Sequence, residues 1–200
     1  AELSQKAHAL VAQGKEVETL IVTGDMDAMQ LVDDPATGSG QVMVYVPARG
    51  KQGARIYDEK AVEEKYDGLE PEQIVDFKGL AGDSSDNIPG VRGIGPKTAG
   101  RLLKEFLSIE GVYRQLDKVR EKFGDKVAQR LIEDQEQAQL SKKLATIVRE
   151  VPIELDLAAC QVHEYDKDKV MKLFEELEFR SLIKKLPNDS FEQMVQETLL

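Results

Sequence analysis

Two hundred residues, 41% hydrophobic and 32% charged, describe a globular chain with enough apolar mass to bury a core, and exclude a disordered polymer. A formal net charge of −10 excludes a protein that coats nucleic acid over its whole surface, but not a local basic patch. No apolar run approaches the roughly 20 residues of a membrane span, and the single cysteine, Cys160, excludes a disulfide framework and fits a reducing cytoplasm.

In chain order, Leu3, Ala7, Leu10 and Val11 recur at helical spacing, with Gly14 as a stop. Thr19-Leu20-Ile21-Val22-Thr23 is a short, β-branched run ended by Gly24, which predicts a buried strand. Asp25 and Asp27 follow at once, with a short helix expected through Met29 and Leu31. The order is that of half a parallel α/β unit, in which ligands gather at the carboxyl ends of strands. Asp33-Asp34 before Pro35 reads as turn chemistry. Val42, Val44 and Val46 alternate with Met43 and Tyr45 in a second strand, and Arg55-Ile56-Tyr57 is expected to pair back as a hairpin.

From Glu59 onward the pattern is helical almost throughout. Ala99, Leu102, Leu103 and Phe106 share one helix face, and Val170, Leu173, Phe174 and Leu177 share another. The division expected is residues 1–58 for an α/β part, 59–186 for an all-α part, and a polar linker from Pro187 over 187–200. His8 and His163 have no ligand-like neighbours and read as ordinary histidines.

Two features carry chemistry. Asp25 and Asp27 lie two apart behind a strand, and Asp83 and Asp86 lie three apart in a loop of small polar residues. Two such pairs suit hard divalent cations about 4 Å apart. Equally, Asp25 or Asp27 could cap the next helix, and Asp86 could make an Asx turn beside Asn87. Next comes an island without acids, residues 87–104, carrying Arg92, Lys97, Arg101 and Lys104. Within it, Gly93-Ile94-Gly95 precedes Pro96, which suits the first position of a helix. The amides of Lys97 and Thr98 are then expected to be free at a helix N-terminus, where an anion is favoured. Ile94 would anchor the turn on the core. This is the pattern of a helix–hairpin–helix grip on a nucleic-acid strand; a plain glycine-capped turn between helices is the alternative.

Taken together, GDMDAMQLV (24–32) and GLAGDSSDNIPGVRGIGPKTA (79–99) closely resemble the 5′-nuclease domain of bacterial DNA polymerase I and the wider flap-endonuclease family. The resemblance covers nearly the whole chain, including YDEKAVEEKY (57–66) and LEFRSLIKKLP (177–187). It implies part of a parallel-sheet, PIN-like α/β nuclease core followed by an all-α, SAM-like helix–hairpin–helix region. It implies 5′→3′ exonuclease and 5′-flap endonuclease activity, including RNA-primer removal. Carried over by position, Asp25, Asp27, Asp83 and Asp86 fall on metal-site carboxylates for Mg²⁺ or Mn²⁺. Arg92, Gly93, Gly95, Lys97, Thr98 and Arg101 fall on or beside the turn that holds duplex DNA, where the family also binds K⁺.

The partners implied are DNA with a 5′ end or flap, and polymerase domains on the same polypeptide. The resemblance departs at the start. Further acids from a first strand, from a mid-domain segment and from a Glu-Ala-Asp-Asp helix start have no counterpart, nor has the arch that threads the flap. The expectation is a C-terminal part of the nuclease domain with an incomplete active site. The competing readings are a non-catalytic helix–hairpin–helix DNA-binding module and a stand-alone flap nuclease.

Overall fold

The computed structural model describes residues 18–33, 40–50, 53–154, 156, 159–160 and 165–186. The helix expected at Leu3–Val11, the turn at Asp34-Pro35, both histidines and the segment from Pro187 lie outside the described residues. The chain divides into two compact units, Ala1–Leu155 and Asp156–Leu200.

In the first unit, β1 (Thr19–Val22) lies parallel to β2 (Val42–Val46), and β3 (Arg55–Tyr57) returns antiparallel to β2. The hairpin is as expected. The buried strand is not: Thr19 is buried, but Leu20 and Val22 are 43% and 64% exposed. Period-two alternation turns one face inward, and only that face is covered. A 3₁₀ turn, Met26–Leu31, stands where a short helix was expected. Ala28, Met29 and Val32 pack on Val44 and Tyr57, with Val62 and Ile74 closing the cluster.

Helices follow. Asp58 caps α1 (Glu59–Lys65) by accepting the Ala61 N–H at 2.7 Å. A 3₁₀ turn at Pro71–Gln73 leads into α2 (Ile74–Ala81). Then come α3 (Pro96–Phe106), α4 (Ile109–Arg114), α5 (Leu116–Phe123), α6 (Asp125–Glu133) and α7 (Gln135–Ala145). All four residues of the predicted α3 face are buried, in one cluster with Leu69, Leu80, Val91, Ile94, Ile109, Val112 and Leu131.

Two buried polar side chains tie these parts together. Gln30 donates to the Ala145 carbonyl (2.7 Å) and accepts from the Ile147 amide (3.2 Å), joining the first 3₁₀ turn to the end of α7. Asp76 of α2 accepts the Ile109 N–H at 3.2 Å and pairs with Lys142 of α7 at 2.7 Å. Between Ala145 and Lys167 the described residues form no helix, which corrects the nearly continuous helical reading.

The second unit contains α8 (Lys167–Glu176) and α9 (Arg180–Ile183). The apolar face expected on α8 forms, and Phe174 meets Phe179 edge-on with ring centroids 5.8 Å apart. None of its residues is buried. Among the described residues no helix is long and apolar enough to cross a membrane.

Candidate metal centre and nucleic-acid interface

The site begins where β1 ends. Thr23 Oγ1 accepts the Asp25 N–H (3.0 Å), and Asp25 Oδ1 accepts the Asp27 N–H (2.9 Å), so Asp25 caps the 3₁₀ turn. This holds Asp27 at the carboxyl end of a parallel strand.

The second loop leaves α2 at Gly82 and is pinched shut. Asp83 and Ile88 exchange two backbone hydrogen bonds of 2.8 Å each. Gly82 and Gly90 have φ of +77° and +63° and lie back to back: a Cβ on Gly90 would stand 2.3 Å from the Gly82 nitrogen. The Asx turn belongs to Asp83, whose Oδ1 accepts the Ser85 N–H at 2.9 Å and also the Ser85 hydroxyl. Buried Ser141 of α7 accepts the Gly90 N–H at 3.1 Å and fixes the loop's far end.

The two loops bring Asp27, Asp83 and Asp86 together, each offering an oxygen within 4.8 Å of the others. Asp25 is outside this group, its Oδ1 engaged with the Asp27 amide. Lys78, on α2 with its side chain only 7% exposed, pairs with Asp83 at 2.6 Å and with Asp27. Burial pushes the Asp83 carboxyl up, but the hydrogen bonds from Lys78 and Ser85 outweigh it and bring its pKa down to about 2. Asp83 is therefore an anion at neutral pH. An all-oxygen set of three converging carboxylates suits a hard divalent cation. The Lys78 ammonium is seated against two of them.

The glycine turn lies beyond this loop. Ile94, 3% exposed, does anchor it. Gly93 has φ +77°, and its carbonyl accepts from Arg130 Nη1 at 2.8 Å. Gly95 is the N-cap of α3, with Pro96 in the first position. One expectation is corrected. The Thr98 amide is not open, because the Gly95 carbonyl accepts it at 3.0 Å, along with the Ala99 amide at the same distance. A first turn wound this tightly uses an amide that an ordinary α-helical start leaves over.

The basic residues differ in their engagement. Arg92 is clamped by Asp134: its backbone N–H donates at 2.8 Å, and Nε and Nη2 donate to the same carboxylate at 2.6–3.0 Å. The Arg101 guanidinium stacks over Phe123 at 5.0 Å, and Lys104 pairs with Asp67 at 2.6 Å. Lys97 is exposed on the first turn of α3. Lys78, Arg130 and Asp134 have no place in the sequence reading. Lys78 meets Asp27, Arg130 meets Gly93 and Asp134 meets Arg92 across 51, 37 and 42 positions, separations at which no local spacing signal exists.

Residues 69–168 match the family described as 5′-3′ exonuclease, C-terminal SAM fold. A DNA polymerase I from Chloroflexus aurantiacus is 46% identical over 181 residues, covering 88% of this chain but 18% of that protein, so the chain spans less than a fifth of its relative. Among solved structures, T5 5′-exonuclease with bound zinc has a TM-score of 0.53 at 22% identity, covering 72% of this chain and 48% of that one. The catalytic core of Rad2 in complex with DNA substrate has a TM-score of 0.53 at 16% identity, covering 87% and 56%. These two show the shared fold. With half of its residues, including the pinched aspartate loop and the glycine turn, matching one family, the chain belongs to the 5′-3′ exonucleases with a C-terminal SAM fold.

Proposed function

We propose that the chain is the part of a metal-dependent 5′→3′ exonuclease and structure-specific 5′-flap endonuclease that holds cations and grips duplex DNA, acting within a DNA polymerase I to remove 5′ ends, including RNA primers. The observation that carries this reading is the convergence within 4.8 Å of Asp27 with Asp83 and Asp86, the last two on a loop continuous with the basic glycine turn. Asp27, Asp83 and Asp86 would hold one Mg²⁺ or Mn²⁺, and exposed Asp25 is assigned to a second. A bound cation supplies charge neutralisation at a phosphodiester and a more acidic water.

The chain's own residues do the rest. Asp25 orients Asp27 through its amide, and Ser85 orients Asp83. Lys97 and the start of α3 offer positive charge to a backbone phosphate. Gly95 leaves room for that phosphate: its φ is −90°, and no heavy atom lies within 4 Å of where a Cβ would be. Arg92 and Arg101 flank the contact, and K⁺ at the turn belongs to the same proposal.

Thermal melting tests the metal part. Mg²⁺ or Mn²⁺ is expected to raise Tm, because a ligand that binds only the folded state stabilises it. Asp83→Asn and Asp86→Asn are expected to remove that rise while leaving salt-dependent binding of 5′-flap DNA in place. An undiminished metal-induced rise in both variants would overturn the assignment.

A further inference from the structure

Within the carboxylate cluster Lys78 stands out. A lysine side chain 93% removed from solvent is costly unless it is paired, and this one is aimed at two carboxylates from different loops. It enters from α2, whose position is set by the Asp76 bonds to Ile109 and Lys142. The ammonium therefore arrives on a rigid element rather than from a mobile surface. Asp27 and Asp83 are the same groups that would receive a divalent cation.

We propose that Lys78 is a built-in counter-cation that a divalent ion must displace, so that it sets the metal affinity of the site and keeps the loops together without metal. The inference rests on the reading of Asp27, Asp83 and Asp86 as cation ligands. Its physical basis is simple. Three carboxylate oxygens within 4.8 Å repel one another, and one fixed positive charge relieves most of that repulsion. A divalent cation relieves it better, but it must first break the ion pairs to Lys78, and that weakens its binding. Removing the ammonium while keeping the apolar stem is expected to destabilise the metal-free protein and tighten the metal.

Calorimetric titration with Mn²⁺ tests this on the 200-residue chain, comparing wild type, Lys78→Met, Lys78→Arg and Asp83→Asn. Lys78→Met is expected to bind Mn²⁺ at least about tenfold tighter than wild type, since a unit charge a few ångströms from the ion is removed. Its Tm is expected to lie below wild type in chelator, with a larger gain on adding Mn²⁺. Lys78→Arg, which keeps the charge, is expected to remain near wild type.

A second measurement needs no variant. In wild type, acetylation of Lys78 by acetic anhydride, read by peptide mass spectrometry against exposed Lys97, is expected to rise when Mg²⁺ saturates the site. Lys78→Met binding Mn²⁺ no tighter than wild type, or Lys78 acetylation unmoved by Mg²⁺, would overturn the inference. Asp83→Asn separates the two levels. If it binds Mn²⁺ as wild type does, the metal site itself is misassigned; if it loses binding while Lys78→Met gains none, only the role of Lys78 fails.

Discussion

Gly90 and Gly95 are glycines for opposite reasons. Gly90 has φ +63° and touches the Gly82 backbone, so the fold itself demands it. Gly90→Ala is expected to cost about 3 kcal/mol or more, combining a disfavoured dihedral with a backbone overlap, as measured by urea denaturation. Gly95 faces open space with an ordinary dihedral. Gly95→Ala is expected to unfold within about 0.5 kcal/mol of wild type and still lose DNA affinity in fluorescence anisotropy. Retention of full affinity would remove the argument that a phosphate approaches there. Asp134 offers a pH test. Hydrogen bonds from Arg92 hold its carboxyl below the usual carboxylate range. A carboxylate lowered by folding stabilises the native state above its unfolded pKa of about 3.9 and loses that contribution as pH falls through the folded value. Asp134→Asn is therefore expected to be less stable than wild type at pH 7, with the gap closing below about pH 3.9. A gap that stays constant with pH would assign the effect to packing.

Among the helices, α3 and α7 divide the work. α3 buries Ala99, Leu102, Leu103 and Phe106 and carries Lys97 outward on its first turn, so one helix couples the core to the surface proposed to meet DNA. Lys97→Ala is expected to weaken binding evenly across DNA sequences and reduce the slope of log K against log salt by about one unit. A marked base preference, or an unchanged slope, would count against a phosphate contact. α7 acts from behind. Its Ser141 receives the Gly90 amide, and its end receives Gln30. Ser141→Ala leaves a buried N–H without its acceptor and is expected to cost about 1–3 kcal/mol in denaturant.

Across the molecule, the sheet leaves apolar surface uncovered. Val22 pairs in register with Tyr45 and Tyr45 with Ile56, so these residues share one face, and Val22 and Ile56 are 64% and 50% exposed. With Leu20 they form an apolar stripe that runs onto β1, which is an edge strand among the described residues. Sedimentation is expected to show an average mass that rises with concentration for the 200-residue chain, and less so for Val22→Lys. A wild-type chain that remains monomeric at high concentration would show that this face is not sticky.

Much of this architecture is legible in the residues one after another. The three strands, the α3 face, the proline start of that helix and the glycine turn all follow from rules that act within a few positions: alternation, the 3.6 period, capping and the fixed φ of proline. The two aspartate pairs are equally visible, and so is the family they resemble. The closure of the site is not. That Asp27 stands beside Asp83 and Asp86 while Asp25 serves as a cap depends on a sheet joined to a helix bundle through Gln30, with Asp76 fixing α2 inside that bundle. That Lys78 points into the cluster, and that Asp134 clamps Arg92, depends on which helix packs against which loop. The Lys78–Asp27 and Arg92–Asp134 pairings cross dozens of residues, and a long-range ion pair leaves no period or spacing in the chain; it exists only once packing has brought the two charges together.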